Sequence, residues 1–361
     1  MSLNRDQIAA LPKVVLHDHL DGGLRPGTML ELADEIGHTL PAQDPDALAR
    51  SFVESANSGS LERYLETFAH TTAVMQTPEH LHRVASEAVL DLAGDGAVYA
   101  ELRYAPEQHL ERGLTLQEVV DAVQAGLDDG VARAAEAGHH IRVGTLITAM
   151  RQNDRADEIV ELTLANRDRG ALGFDIAGPE LGFPPTRQAG AFRALREANF
   201  PYTIHAGEAD GVHSVWQAVQ QCHALRLGHG VRIIEDIAHA GDPEAAQLGP
   251  VAHWVRDRQI PLEVCPVSNL HTGIAPTVAE HPITALRDLG FAVTINTDNR
   301  LVSGTSMTNE MHLLVTEAGW SLADLEAATL TAAWNGFAHY DEMQQIITDQ
   351  VLPGFAALRR D

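Results

Sequence analysis

The chain has 361 residues and a formal net charge of −25, with 45% hydrophobic and 21% charged residues. This composition is typical of a globular enzyme, built either as one large α/β barrel or as two ordinary domains. The excess of negative charge disfavours binding to nucleic acid. No apolar run is long enough to span a membrane, and the N-terminus lacks the pattern of a secretory signal. We therefore expect a cytoplasmic protein with no membrane or nucleic-acid partner. The two cysteines, Cys222 and Cys265, are far apart in the sequence, and we expect both to be buried small side chains.

Alternating strands and helices are the main pattern along the chain. From the second predicted strand onward, the spacing allows a helix before each next strand, for example over 116–137 and 156–168. This alternation predicts a parallel sheet, and eight units predict a (β/α)₈ TIM barrel that comprises residues 1–361 as a single domain. A doubly wound open sheet is the alternative, and it fits less well because no GxGxxG-like turn follows the first strand. The predicted strands are 14–19, 98–104, 141–148, 172–177, 202–205, 225–229, 261–265 and 291–297.

A long insertion separates the first two predicted strands. Its sequence predicts helices over 26–36, 46–55, 61–75 and 77–91. Because barrel active sites are built from the loops that follow the strands, we expect a helical cap over the mouth, at about residues 22–96. One face of the third helix is apolar, with a spacing of i, i+3, i+4 and i+7 that suits either core packing or the wall of a substrate pocket. The residues of this face are Leu61, Tyr64, Leu65 and Phe68.

Four strand ends carry candidate metal ligands or catalytic groups. The first predicted strand ends in His17 and His19, whose side chains share one face because strand residues alternate. The fifth reaches His205, and Asp298 follows the eighth, which neighbours the first strand in a barrel. Three imidazoles and one carboxylate suit zinc, with iron, cobalt or manganese as rivals. We therefore predict one metal site made of His17, His19, His205 and Asp298.

Glu208 and His229 are the candidate catalytic groups beside this metal site, together with Asp298. Glu208 follows His205 by three residues and can act as a general acid, while His229 ends the sixth strand and can act as a base or an electrostatic support. Each residue also has an ordinary structural interpretation. Glu208 fits the N-terminus of a helix, Asp298 fits a helix cap, and the histidines could be buried hydrogen-bonded side chains. The remaining histidines are expected on helix surfaces or in loops.

Six short motifs in this order resemble the adenosine deaminase family of the amidohydrolase superfamily, and its bacterial members most. They are LHDHLDGGLRP (16–26), DIAGPE (175–180), HAGE (205–208), RLGHGVR (226–232), EVCPVSNLHTG (263–273) and TINTDN (294–299). The resemblance implies a (β/α)₈ barrel that binds one Zn²⁺ per chain through His17, His19, His205 and Asp298. The fourth strand contains no lysine, which argues against the branches that hold two metals through a carboxylated lysine.

The resemblance also implies roles in substrate binding. Glu208 matches the proton donor to purine N1, His229 the group beside the attacking water, and Asp21 the acceptor for the ribose 5′-hydroxyl. The backbone of Gly178 matches the contact to the purine ring, and His19 belongs to the same wall. Apolar contacts are implied at Leu61, Tyr64, Leu65, Phe68 and Met150.

One position departs from the family pattern. The family commonly has two adjacent acids here, whereas this chain has Asp298 followed by Asn299. The second acid faces purine N7, and an Asn amide can donate to that acceptor directly.

The implied reaction is the hydrolytic deamination of adenosine and 2′-deoxyadenosine to inosine and 2′-deoxyinosine, with release of ammonia, in purine salvage. A carboxylate at Asp21 would repel a 5′-phosphate, which favours a small nucleoside substrate over a nucleotide. Two alternatives stay open. One is a deaminase for adenine, an N6-substituted adenine or aminodeoxyfutalosine, and the other is a binding protein without catalytic activity.

Overall fold

Eight parallel strands form a closed ring at the centre of the protein, whose computed structural model describes residues 3–359. Hydrogen bonds arrange them in two four-stranded sheets, with the orders β1-β2-β3-β4 and β8-β7-β6-β5. Parallel bridges join the two sheets at both sides, between Asp18 and Asp298 and between Phe174 and Tyr202. The (β/α)₈ barrel predicted from the sequence is confirmed. The strands are β1 (Lys13–His19), β2 (Ala97–Tyr104), β3 (Arg142–Met150), β4 (Ala171–Ala177), β5 (Thr203–Ala206), β6 (Arg226–His229), β7 (Leu262–Val264) and β8 (Val293–Ile295).

Helices follow every strand and cover the outside of the ring. A small antiparallel hairpin, Ile237–Ala238 with Gln247–Leu248, lies between β6 and β7. The α-helices are Arg5–Ala9, Pro26–Ile36, Pro45–Ala56, Leu61–Glu66, Phe68–Ala73, Pro78–Gly94, Leu116–Glu136, Ala156–Ala165, Ala189–Glu197, Val212–Trp216, Pro250–Asp257, Pro266–His271, Pro282–Asp288, Met307–Glu317, Leu322–Trp334, Tyr340–Ile346 and Leu352–Leu358. Two π-helical turns, Gln217–Gln221 and Ile347–Val351, continue helices, and 3₁₀ turns cover Leu20–Gly22, Pro106–His109, Pro185–Gln188, Val231–Asp236 and Val278–Glu280.

Local sequence explains where the helices begin. Thr115 caps the helix Leu116–Glu136 in a capping box with Glu118, in which each side chain accepts from the other residue's backbone N–H. Thr77 caps the helix Pro78–Gly94 in the same position, and Pro78 fits the first turn because that turn needs no N–H donor. These two helices therefore begin at the residues where the sequence supplies the cap.

The predicted helix over 61–75 is divided in the structure into Leu61–Glu66 and Phe68–Ala73. Thr67 lies at the junction, and both its backbone N–H and its hydroxyl donate to the carbonyl of Tyr64, at 3.2 and 2.7 Å. A threonine hydroxyl that bonds back to the preceding turn competes with the regular helix ladder. The single long helix was therefore a wrong prediction, although the residues of its apolar face stay together.

The insertion between β1 and β2 contributes two different surfaces. Its short helices Leu61–Glu66 and Phe68–Ala73 carry residues of the cavity at the barrel mouth. Its last helix, Pro78–Gly94, packs instead against the outer helix Leu116–Glu136, where a side chain at Gly126 would place its Cβ 2.3 Å from the carbonyl oxygen of His82. Close helix packing of this kind needs glycine at the contact.

The buried core follows the ring of strands and the inner faces of the helices. Cys222 and Cys265 are both buried and free, as the sequence predicted. Within residues 3–359, no helix is both long and apolar enough to cross a membrane.

Candidate active site

Barrel closure brings Asp298 between the two histidines of β1. The backbone N–H of His19 donates to the carbonyl of Asp298 at 2.6 Å, and the N–H of Asp298 donates to the carbonyl of His17 at 2.9 Å. The side chains then converge, because Asp298 Oδ1 lies 3.3 Å from His17 Nε2 and 3.4 Å from His19 Nε2. His205 reaches the same point from β5, with its Nε2 3.4 Å from His19 Nε2. The structure therefore brings the four predicted metal ligands together.

These donor atoms fit a divalent cation. The ligand atoms of His17, His19 and His205 lie within 4.8 Å of one another. Two ligands held at about 2.0–2.1 Å from one zinc ion in a near-tetrahedral arrangement would themselves be about 3.3 Å apart. His17 Nε2 is buried and has no hydrogen-bond partner among the described residues, which is costly for a polar atom unless a ligand binds it. Nitrogen and oxygen donors of this kind suit zinc and other divalent transition metals.

Buried carboxylates hold the outer nitrogens of two of these imidazoles. Glu263 Oε2 lies 3.0 Å from His17 Nδ1, and Asp175 Oδ2 lies 2.8 Å from His205 Nδ1. Arg103 lies between the two carboxylates and donates to Glu263 at 2.8 Å and to Asp175 at 2.7 Å. Carboxylates behind metal-binding histidines fix the ring orientation and the tautomer, so that Nε2 is left as the free lone pair.

Two non-glycine residues at the site have left-handed backbone conformations. Asp298 has φ = 58° and His229 has φ = 60°. Such conformations are uncommon for these residue types and are often found at functional sites. The hydroxyl of Ser268 donates to Asp298 Oδ2 at 2.5 Å and thereby fixes the second carboxylate oxygen. Burial alone would raise the pKa of Asp298, but the close contact with His17 at 3.3 Å and the neighbouring imidazoles hold that pKa well below its ordinary value.

His229 is held from behind by a chain of polar side chains. Its Nδ1 lies 3.0 Å from Asn269 Nδ2, and Asn269 Oδ1 lies 3.3 Å from His281 Nε2. The amide of Asn269 donates to Nδ1, which leaves the Nε2 of His229 as its protonated nitrogen when the ring is neutral. Burial lowers the pKa of His229 well below its ordinary value. His281 lies in the loop before the helix Pro282–Asp288, the kind of position predicted for most of the remaining histidines, and it is buried.

Glu208 lies beside His229, with 3.5 Å between Glu208 Oε2 and His229 Nε2. Burial raises the pKa of Glu208 well above its ordinary value, and the charges of Asp298 and Glu180 raise it further. Glu180 also fixes the backbone around Glu208, because its carboxylate accepts from the N–H groups of four successive residues, 207 to 210, at 2.6 to 3.0 Å. The backbone that carries Glu208 is thereby fixed at the edge of the predicted metal site.

A cavity of about 440 Å³ opens onto these groups. This volume lies in the range of pockets that bind small molecules, about 300–1,000 Å³. All of the predicted substrate residues line it, and among the predicted site residues only His17 lies behind its wall. The predicted residues in the wall are His19, Asp21, Leu61, Tyr64, Leu65, Phe68, Met150, Gly178, His205, Glu208, His229, Asp298 and Asn299.

Asp21 and Gly178 contribute two different kinds of contact to the wall. Asp21 is buried, and its Oδ1 has no hydrogen-bond partner among the residues that the structure describes. Burial raises the pKa of Asp21 to about 7, and the charges of Asp298 and Asp18 add to this effect. Gly178 has φ = 104°, a conformation that favours glycine, and a Cβ there would lie 2.4 Å from Gln152 Oε1. A residue with a side chain would therefore be strained at this point of the cavity wall and would displace the end of Gln152.

Sequence reasoning missed the groups that support the ligands. Arg103, Asp175 and Glu263 are fully buried in strands that are otherwise mainly apolar, and the strand of Arg103 also contains the buried Glu101. A charged residue inside a buried strand was the available signal, because burial of a charge is costly unless it is paired. Cys265 was also expected to be unrelated to the site, but it belongs to a group of possible ligand atoms with His17 and His229. Burial raises the pKa of the Cys265 thiol well above its ordinary value.

Several further residues of the cavity wall were not predicted. Two acidic residues of the cap helix Leu61–Glu66 are among them, and the helical periodicity could have indicated them as neighbours of the apolar face. The others lie at the C-terminal ends of strands or in the segments that follow them. The additional lining residues are Glu62, Glu66, Ala105, Gln108, Thr148, Gln152, Ala177 and Pro179.

Comparison with known proteins places this site in a family. The family model described as adenosine deaminase matches residues 12–352. Adenosine deaminase 1 of Streptomyces coelicolor is 56% identical over 99% of this chain and 90% of its own length. The adenosine deaminase of Mycobacteroides abscessus is 54% identical over 97% of both chains.

The fold also has solved relatives. An amidohydrolase from Burkholderia ambifaria, crystallised with bound zinc, superposes with a TM-score of 0.85 at 24% identity and covers 100% of this chain and 95% of its own. At this identity the likeness concerns the fold. The family model, however, matches nearly the whole chain, and the curated relatives are more than 50% identical to it. The chain therefore belongs to the adenosine deaminase family.

Proposed function

We propose that this protein is a zinc-dependent hydrolase that converts adenosine and 2′-deoxyadenosine to inosine and 2′-deoxyinosine, with release of ammonia. The observation that carries the proposal is the meeting of three imidazoles, one carboxylate and a carboxylic acid of raised pKa at one wall of a nucleoside-sized cavity. Hydrolytic removal of an aromatic amine needs a group of metal ligands and, beside it, an acid that can donate a proton to a ring nitrogen. The high identity to curated adenosine deaminases supports the same reaction.

His17, His19, His205 and Asp298 would hold the metal. The chemistry that a divalent cation would supply there is the activation of water for attack on the carbon that carries the amino group. Glu263 and Asp175 keep the two outer imidazole nitrogens protonated, so that the inner nitrogens stay available as ligands.

Glu208 would supply the proton that the purine needs at N1. Attack at C6 breaks the aromaticity of the ring and places negative charge on N1, which a nearby acid can neutralise. The raised pKa of Glu208 favours the protonated form of its carboxyl group. Glu180 accepts hydrogen bonds from the backbone N–H groups of Glu208 and Ala209. These bonds fix the backbone that carries the acid, so that the site needs little rearrangement during the reaction.

His229 and Asp298 would act beside the attacking water. His229 is neutral because its pKa is lowered, and the Asn269 amide leaves its Nε2–H directed toward the site. A neutral imidazole can donate this hydrogen to the oxygen that attacks. Asp298, ionised and close to the same point, can accept the proton released by the water.

Asp21 would select a nucleoside. Its unpartnered Oδ1 can accept a hydrogen bond from a ribose hydroxyl. A 5′-phosphate in that position would meet a buried carboxyl group and the field of an acidic protein, with a net charge of −25. The apolar face of Leu61, Leu65 and Phe68 would cover the purine from the cap side.

A substrate panel tests the proposal. Purified protein, loaded with zinc, is assayed for ammonia release and for the ultraviolet change of adenosine to inosine. The panel contains adenosine, 2′-deoxyadenosine, adenine, N6-methyladenine, aminodeoxyfutalosine and adenosine 5′-phosphate. We expect the first two to be preferred and the phosphate to be poor. Preference for another 6-aminopurine would replace the proposed substrate, and tight binding of adenosine without turnover would identify a binding protein.

A further inference from the structure

We propose that Tyr64 is a positioning residue whose hydroxyl holds the Asn299 amide as a hydrogen-bond donor toward purine N7. This inference rests on the proposed function and adds a determinant of purine recognition to it. The sequence led us to expect Tyr64 only as part of an apolar wall. In the structure, its hydroxyl connects the cap helix Leu61–Glu66 to the loop after β8.

The contact is a short chain of three polar side chains. Asn299 Nδ2 donates to the Tyr64 hydroxyl at 2.9 Å. The same hydroxyl lies 2.7 Å from Ser303 Oγ. The Tyr64 oxygen accepts from the amide, and Ser303 Oγ lies within reach to accept the hydrogen of the Tyr64 hydroxyl. All three residues are buried, each with 2% of its surface exposed, so that water does not compete for these hydrogen bonds.

The opposite side of the Asn299 amide is fixed by the chain that follows β1. A Cβ on Gly22 would lie 1.9 Å from Asn299 Oδ1, which means that the amide oxygen lies directly against the glycine backbone. Asn299 Oδ1 is buried and has no hydrogen-bond partner among the described residues. The amide is therefore confined between Gly22 and Tyr64, and Tyr64 is its only polar partner within the described chain.

The direction of this hydrogen bond decides what the amide can offer a ligand. One Nδ2 hydrogen is donated to Tyr64, and the second remains for an acceptor in the cavity that Asn299 lines. If the amide were reversed, its oxygen would accept a hydrogen bond from Tyr64, and its NH₂ group would lie against the backbone of Gly22. A Tyr64 hydroxyl that donates to Ser303 would oppose this reversal, because it would have no hydrogen left for the amide oxygen.

A donor in this position matches the chemistry of purine N7, which is an acceptor. The carboxylate commonly found here in the family needs a proton before it can donate, whereas the Asn299 amide always carries its hydrogens. Burial raises the pKa of the Tyr64 hydroxyl well above its ordinary value, and the charge of Asp298 adds to this effect, so Tyr64 stays neutral. The amide and its support thus discriminate purines that have N7 from analogues that have a C–H group there.

The test compares ligands that differ only at this atom. Binding of inosine and 7-deazainosine is measured by titration calorimetry on the zinc-loaded wild type, Tyr64→Phe and Asn299→Ala. A matched control is Tyr202→Phe, which removes another buried hydroxyl, one that donates to the Cys222 carbonyl at 2.7 Å and lies outside the cavity wall. Melting temperature and zinc content verify that each variant is folded.

We expect the wild type to prefer inosine by about three- to tenfold, the usual effect of one hydrogen bond. Tyr64→Phe should lose most of this preference while its affinity for 7-deazainosine stays within about twofold. Adding Tyr64→Phe to Asn299→Ala should change the preference no further, because the two groups act as one unit.

Three results would overturn the inference. Tyr64→Phe could keep the preference for inosine, it could weaken both ligands equally as a general structural defect would, or its effect could add fully to that of Asn299→Ala. If Tyr64→Phe does not fold, Ser303→Ala replaces it, since loss of the Ser303 acceptor should also reduce the preference. Calorimetry does not depend on turnover. Absence of adenosine deamination by the wild type would therefore contradict the proposed function, whereas an unchanged ratio of affinities contradicts only this inference.

Discussion

Replacement of Glu208 by glutamine separates proton donation from the shape of the site. Glutamine is nearly isosteric and keeps a hydrogen-bond donor, but it cannot transfer a proton. The side chain is 5% exposed and lies 3.5 Å from His229 Nε2, and its supporting contacts from Glu180 go to backbone groups that the substitution leaves in place. The geometry should therefore persist while the chemistry is lost.

The expected loss follows from the part that Glu208 plays. General acids contribute about 10²- to 10⁴-fold to rate, so Glu208→Gln should lower kcat at least about a hundredfold, or about 2.7 kcal/mol of barrier. KM should change by no more than a few fold, because the substituted amide still reaches N1. The protonated acid is the active form and its pKa is raised. Wild-type activity should thus be present below that pKa and decline as pH rises through it, and this decline should be absent from the residual activity of the variant.

The assay is steady-state deamination of adenosine followed by ultraviolet absorbance between pH 5 and 10, with zinc content measured by elemental analysis on the same samples. Glu317→Gln is the matched control, because Glu317 is exposed at the end of the helix Met307–Glu317 and does not line the cavity. A Glu208→Gln enzyme with full zinc content and a rate within tenfold of the wild type would refute the role of Glu208 as the acid.

Three further substitutions test other parts of the site. Asp175→Asn removes the carboxylate 2.8 Å from His205 Nδ1 and should weaken zinc affinity about 10- to 100-fold in a chelator competition. Asp21→Asn should raise the KM for adenosine and improve the relative rate on adenosine 5′-phosphate, because it removes the negative charge that repels phosphate. Glu310→Gln should flatten the pH dependence of stability. Burial raises the pKa of Glu310 from 4.5 to about 8, so the folded protein holds a proton that the unfolded chain has released, and the free energy of unfolding falls by up to about 1.4 kcal/mol per pH unit across that window.

Each of these tests has a control and a contrary result. Asp154→Asn, at a side chain that is 95% exposed, should leave zinc affinity unchanged, and an equal affinity in Asp175→Asn would remove the supporting role of Asp175. An unchanged ratio of phosphate to nucleoside rates in Asp21→Asn would contradict the charge argument. For Glu310→Gln, denaturant unfolding between pH 5 and 8 should give a smaller slope than in the wild type and in Glu317→Gln, and parallel curves would contradict the burial effect.

The residues that do chemistry could be found from the sequence because they occur at the ends of strands with a clear local pattern. Alternation along β1 is enough to direct His17 and His19 to one face. The C-terminal ends of all barrel strands lie on one face of the barrel. Once eight strands had been recognised, His205 and Asp298 were therefore expected near His17 and His19. Their roles as ligands and catalysts remain predictions.

What only the tertiary structure decided is which distant side chains pair. Arg103, Asp175 and Glu263 lie on three different strands, and barrel closure alone makes them one buried ionic cluster behind the metal ligands. The partnership of Tyr64 with Asn299 joins residues from opposite ends of the chain. Local periodicity predicts the face on which a side chain lies, because that face depends only on the helix or strand formed by neighbouring residues. The choice of partner depends on how strands and cap helices pack in three dimensions, and no period in the sequence records that.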